Sequence, residues 1–225
     1  MLIYQYFVAF YQKIFQKNAI KGAPLLHKTR YNISNGGDYM NFVQPIRDKE
    51  KLEEMKDELR KSGTRNYLLF YTGINTGLRI SDIIKLKYDD IRDEYNNMKS
   101  HISIIEKKTK KSKKFPICNG LYNELEKYTR NLKPGEYLFI SQKGNNRPIT
   151  TSQAYRIIVN AGAKIGLDEI GTHTMRKTFG YHHYQQYHDV ALLQTLFNHS
   201  SPSITLRYIG IEQDEIDKSY YNFNL

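Results

Sequence analysis

Thr76-Gly-Leu-Arg-Ile-Ser-Asp82 puts an arginine just after a glycine turn and just ahead of a short apolar segment. Two later stretches complete its meaning: His173-Thr-Met-Arg176, and His199 standing nine residues before Tyr208. Two arginines, two histidines and a tyrosine form a set that can hold a phosphodiester while a phenol attacks it. The guanidinium fork grips two phosphate oxygens and stays charged. A pentacoordinate phosphorane carries more negative charge than the ground state, so two forks bind it better. A phenol has a reference pKa of about 10 and needs neighbouring cations or a base to attack at neutral pH. The leaving 5′ oxygen needs a proton, which a lysine or histidine can supply. His173 and Arg176 lie one helical turn apart and project from one face.

Charge points the same way. The 225-residue chain carries a net charge of +11, which favours a polyanionic partner such as nucleic acid. Six of its lysines fall in Lys107-Lys-Thr-Lys-Lys-Ser-Lys-Lys114. An alternating segment from 101 to 106 and a second from 115 to 118 predict two strands, with the lysine run at the hairpin tip between them. Such a tip can lie along DNA phosphates, and each phosphate neutralised releases counterion. Lys107, Lys110, Lys111, Lys113 and Lys114 are the expected contacts. A solvated loop is the plainer reading of any charge run.

Composition sets the remaining bounds. A hydrophobic content of 40% with 25% charged residues suits a globular domain. Cys118 is the only cysteine, which excludes an intrachain disulfide or a multi-cysteine zinc site and fits a reducing cytoplasm. The apolar, aromatic opening from Met1 is broken by Lys13 and Lys17, short of the roughly 20 residues a membrane span needs. It reads as an amphipathic helix. Residues 1–39 end in a turn-rich stretch, and Met40 opens what reads as the functional unit, 40–225.

Helices are expected at 48–61 with Asp48 as cap, at 65–75, from Arg79 onward, and at 121–131, 151–165, 173–187 and 190–198. Ser201-Pro202 signals a further helix carrying Tyr208. Tyr137–Ser141 is a candidate third strand. The expected fold class is α+β, mainly α-helical, with a small antiparallel sheet.

In order and spacing these boxes resemble the catalytic domain of the tyrosine site-specific recombinases, the phage integrase family. That family has an arginine in a Thr-Gly-Leu-Arg-x-Ser-Glu/Asp box, a lysine on a β-hairpin, a His-x-x-Arg box, a His or Trp, and a tyrosine nine residues later. Arg79, Lys108, His173, Arg176, His199 and Tyr208 occupy those places over about residues 45–215. Lys108 is the best match because Lys108-Thr109 precedes Pro116 by eight residues, with Lys110 and Lys111 as fallbacks. Asp82 matches the acidic residue that supports the first box.

The resemblance implies that Tyr208 attacks a DNA phosphate, forming a 3′-phosphotyrosyl bond and freeing a 5′-hydroxyl. Arg79, Arg176 and His199 neutralise the phosphoryl oxygens, Lys108 protonates the leaving oxygen, and His173 assists removal of the phenolic proton. Neither metal nor ATP is implied, so no cofactor is expected. Implied partners are double-stranded DNA and further copies of the chain in a tetramer, with the tail from Ile209 to Leu225 docking on a neighbour or on its own domain. A mobile-element role among nucleoid DNA in the cytoplasm follows from the same likeness.

Two departures stand out. Phe197-Asn198-His199 replaces the common Leu-Gly-His, and asparagine tolerates the left-handed backbone that glycine favours. The segment ahead of Arg79 is too short for the family's separate core-binding domain, whose absence is expected, along with an accessory protein in its stead. The competing reading is a DNA-binding module of the same fold without catalysis.

Overall fold

The computed structural model describes residues 43–105 and 112–211, together with Lys218, Tyr220, Tyr221 and Phe223. Helix α1 (Lys49–Lys61) starts where Asp48 accepts a hydrogen bond from the Glu50 amide, and it ends on Arg60 and Lys61, matching the helix dipole at both ends. Its face bearing Met55 and Leu59 packs on α2 (Thr64–Thr76). Helix α2 stops at Gly77, whose φ of 62° is left-handed. A side chain there would be strained and would strike the Phe179 ring. The turn delivers Arg79 as the cap of the short α3 (Ile80–Ile83), which is followed by α4 (Tyr88–Ile91).

Strands β1 (His101–Ile105) and β2 (Ser112–Pro116) form one antiparallel pair, with His101 opposite Pro116 and Ile105 opposite Ser112. The second strand therefore lies earlier than the predicted 115–118. Cys118 is instead the residue that caps α5 (Asn119–Thr129). The third strand expected at Tyr137–Ser141 is reduced to isolated bridges, Lys87 with Tyr137 and Ile140 with Pro148. The consecutive Leu138 and Phe139 are both fully buried, so this segment lacks the inside–outside alternation of a half-exposed strand.

Helix α6 (Thr151–Lys164) opens with a Thr150/Gln153 capping box. Helix α7 (Thr172–Tyr187) then runs against α2, where Gly73 leaves just enough room for Met175. Helices α8 (Val190–Phe197) and α9 (Pro202–Ile209) follow, capped by Asp189 and Ser201, with Pro202 at the first helical position. Asn198 has φ 53°, the left-handed turn expected of an asparagine in glycine's place.

Two apolar clusters organise these elements. The larger joins α1, α2, α5, α6 and the hairpin around Leu59, Phe70, Ile102, Leu121, Phe139, Ile158 and Met175. The smaller, Leu193, Phe197, Ile209 and Ile211, seats α8 and α9 on α7. Gly180 makes that seat possible: a Cβ there would lie 2.6 Å from Ile209 and 2.8 Å from Phe197. Among the described residues no helix is long and apolar enough to cross a membrane.

Candidate active site

The smaller cluster brings the tyrosine home. Ser201 and Pro202 start α9 so that Thr205 and Ile209 turn inward, and Tyr208 meets the N-terminal half of α7. Its hydroxyl lies 3.3 Å from Nδ1 of His173. His199 approaches from the other side, ring centroid 5.1 Å from that of Tyr208 and edge-on to it. Nδ1 of His199 is held 3.1 Å from the Thr205 hydroxyl. The pairing fixes the imidazole relative to the helix that carries the tyrosine.

Arg176 is 4% exposed and organises two turns at once. Nη1 donates to the Gly77 carbonyl at 2.5 Å and Nη2 to the Phe197 carbonyl at 3.0 Å. The first turn leads to Arg79 and the second to His199. The guanidinium also lies 4.2 Å from the Phe197 ring centroid, a cation–π contact. One buried side chain thus fixes two loops that are far apart in sequence. Asp82 is buried in the α3 turn beside Arg79.

The electrostatics follow from this crowding. Burial pushes the Tyr208 phenol above its ordinary value, and the Arg176 and Arg79 guanidiniums pull against that rise. His173 moves the other way: loss of water around the ring, then Lys177, Arg176 and Arg79, hold it below the ordinary histidine value. At neutral pH the site therefore pairs a protonated phenol with a neutral imidazole that can accept its proton. Both arginines are close enough to shift both groups.

The five residues Arg79, His173, Arg176, His199 and Tyr208 meet in one place. Lys108, with Lys107, Lys110 and Lys111, lies outside the described residues. Lys114 is exposed on β2. Lys113 is turned inward: its Nζ donates to the Leu196 carbonyl at 2.7 Å. Sequence reasoning missed Lys177, whose ammonium stands 5.3 Å from the Tyr208 ring centroid and is pushed toward neutrality by burial and by Arg47. Its position one turn after His173 was the available signal.

The phage integrase family profile matches residues 47–215, three quarters of the chain, and the chain belongs to that family, the tyrosine recombinases that break and rejoin DNA strands. It is 50% identical over 184 residues to a probable integrase/recombinase, YoeC, of Bacillus subtilis, covering 82% of this chain and 98% of that relative. It is 26% identical over 178 residues to the tyrosine recombinase XerA of Pyrococcus furiosus, covering 78% of this chain but only 60% of XerA. Among solved structures, a XerA recombinase aligns with a TM-score of 0.63 at 20% identity, over 81% of this chain and 67% of that one. XerH bound to its palindromic difH substrate after cleavage aligns at 0.62 and 22%, over 80% and 53%. These two likenesses establish the fold.

Proposed function

We propose that this chain cuts and rejoins double-stranded DNA through Tyr208. The phenolic oxygen attacks a backbone phosphorus, the O–P bond to tyrosine forms, and the bond from phosphorus to the 5′ oxygen breaks. The phenolic proton passes to Nδ1 of His173. The leaving oxygen takes a proton from Lys108, the hairpin lysine that the family pattern assigns. Arg79, Arg176 and His199 neutralise the phosphoryl oxygens, with Asp82 supporting the Arg79 turn. Attack by a free 5′-hydroxyl reverses the step, so the phosphodiester is restored without an energy source. The observation that carries this reading is the 3.3 Å contact between the Tyr208 hydroxyl and His173, in reach of two guanidinium groups.

Residues 40–225 act as the catalytic unit in this reading, with residues 1–39 an extension. The work is recombination of cytoplasmic, nucleoid DNA, with a mobile element as its natural setting. Self-association on DNA is supported by the exposure of Tyr220, Tyr221 and Phe223, which suit a tail that packs on a second copy.

The test uses a nicked duplex library with randomised bases around the nick, where loss of the short strand traps the intermediate. Protein–DNA adduct should accumulate equally with and without a chelator, and digestion should leave the nucleotide on the peptide holding Tyr208. No adduct from any member of the library would overturn the reading in favour of a binding module.

His173 adds a pH signature. Its folded pKa lies below the ordinary value of about 6.5, so the neutral, proton-accepting form persists to lower pH than in a free histidine. Adduct formation should hold steady from pH 8 down to about 6.5 and fall only below it. His173→Gln should be slow throughout and lose that acidic limb. A limb that survives the substitution would assign it to another group.

A further inference from the structure

We propose that Lys113 is a positioning residue for His199, not one of the lysines that hold DNA. The inference rests on the catalytic reading above and deepens it. By sequence Lys113 belongs with its neighbours in the lysine run, but strand alternation separates them. Ser112 and Lys114 face solvent, while Lys113 shares the inner face with the buried Phe115. From there its ammonium crosses to α8 and takes the Leu196 carbonyl at 2.7 Å, a partly buried contact between residues 83 positions apart.

The acceptor is well chosen. Leu196 lies in the last turn of α8, where carbonyls lack helical partners and the helix dipole is negative, so a cation is favoured. The next carbonyl, Phe197, takes Arg176 from α7. The chain then turns through left-handed Asn198 to His199, whose amide donates back to Gln194 at 3.0 Å. The Gln194 side chain donates to the His199 carbonyl at 3.2 Å. Two cations therefore grip adjacent carbonyls of the segment that aims His199, one from α7 and one from β2. Without Lys113 the β2 side of that grip is lost, and the His199 ring and the Phe197 ring, 5.7 Å from Tyr208, lose a reference point.

A phosphate contact and a positioning role predict opposite results. On a random-sequence duplex, Lys114→Met should flatten the plot of log Kd against log salt by about 0.9, the share of one phosphate, whereas Lys113→Met should leave the slope unchanged. On the nicked library, Lys113→Met should slow adduct formation about tenfold to a hundredfold, as small misplacements in an active site do. Lys113→Arg, which keeps a donor for the helix end, should recover most of that rate and guards against a methionine variant that folds poorly. Because Lys113 acts through His199, the double variant Lys113→Met/His199→Ala should be no slower than His199→Ala.

The DNA-free protein gives a reading that needs no activity. The His199 ring resonance should shift in Lys113→Met and stay put in Lys114→Met. A slope lost with Lys113, additive rates in the double variant, or an unmoved His199 resonance would each overturn the assignment. If wild type forms no adduct, the catalytic reading falls, while the resonance and the salt slope still decide what Lys113 does.

Discussion

Tyr208→Phe should reduce covalent protein–DNA adduct to background while DNA binding and folding persist. The substitution removes one oxygen, and the phenyl ring still fills its place against Phe197 and His199. That oxygen meets Nδ1 of His173 at 3.3 Å and also interacts with the Arg176 guanidinium, so the stability lost is that of hydrogen bonds worth about 0.5–1.5 kcal/mol each. No comparable nucleophile remains in that position. Tyr181 and Tyr184 pack against the same small cluster and are the obvious substitutes, so residual adduct in Tyr208→Phe should be mapped to them first. Adduct at the wild-type level, wherever it maps, would remove Tyr208 from the chemistry.

Arg176 is the second large effect, and there chemistry and architecture are mixed. Arg176→Ala takes a donor from both the Gly77 and Phe197 carbonyls, which should cost about 2–4 kcal/mol of stability. It also removes a charge from the proposed phosphoryl site, a loss that typically slows a reaction by about 10²–10³. Arg176→Lys separates the two. Lysine keeps the charge and can reach one carbonyl but cannot bridge both turns, because it has no planar fork. We expect Arg176→Lys to lose about half as much stability as the alanine variant in urea titration and to bind non-specific DNA normally, yet to cleave as poorly as the alanine variant. Parallel loss of stability, binding and cleavage in the lysine variant would reduce Arg176 to a structural role.

Much of this was readable from local chemistry. Asp48 and the Ser201-Pro202 pair announced two helix starts because capping needs only residues within a turn. The left-handed Asn198 followed from what asparagine tolerates. The His-x-x-Arg spacing placed two side chains on one face of α7. What local chemistry could not show was where long side chains end. Nothing near Lys113 in sequence distinguishes it from Lys114, and the difference appears only when β2 turns one of them toward α8. Arg176 read as a phosphate ligand alone, because its two carbonyl acceptors lie 99 and 21 residues away. Tyr137–Ser141 failed as a strand for a related reason: burial on both sides, which three-dimensional packing decides, erased the alternation that would mark it.

The seat of α8 and α9 has a consequence for timing. α8 and α9 rest on a satellite nucleus of four buried side chains, separate from the main one. Regions with a small buried core of their own can open locally at less than the cost of global unfolding. Local opening of α8 and α9 would part the Tyr208 hydroxyl from His173 while the main cluster stayed folded. In the proposed reaction, the nucleophile would thus be mounted on the smaller of the two interior clusters, where parting from a rejoined strand disturbs the least packing.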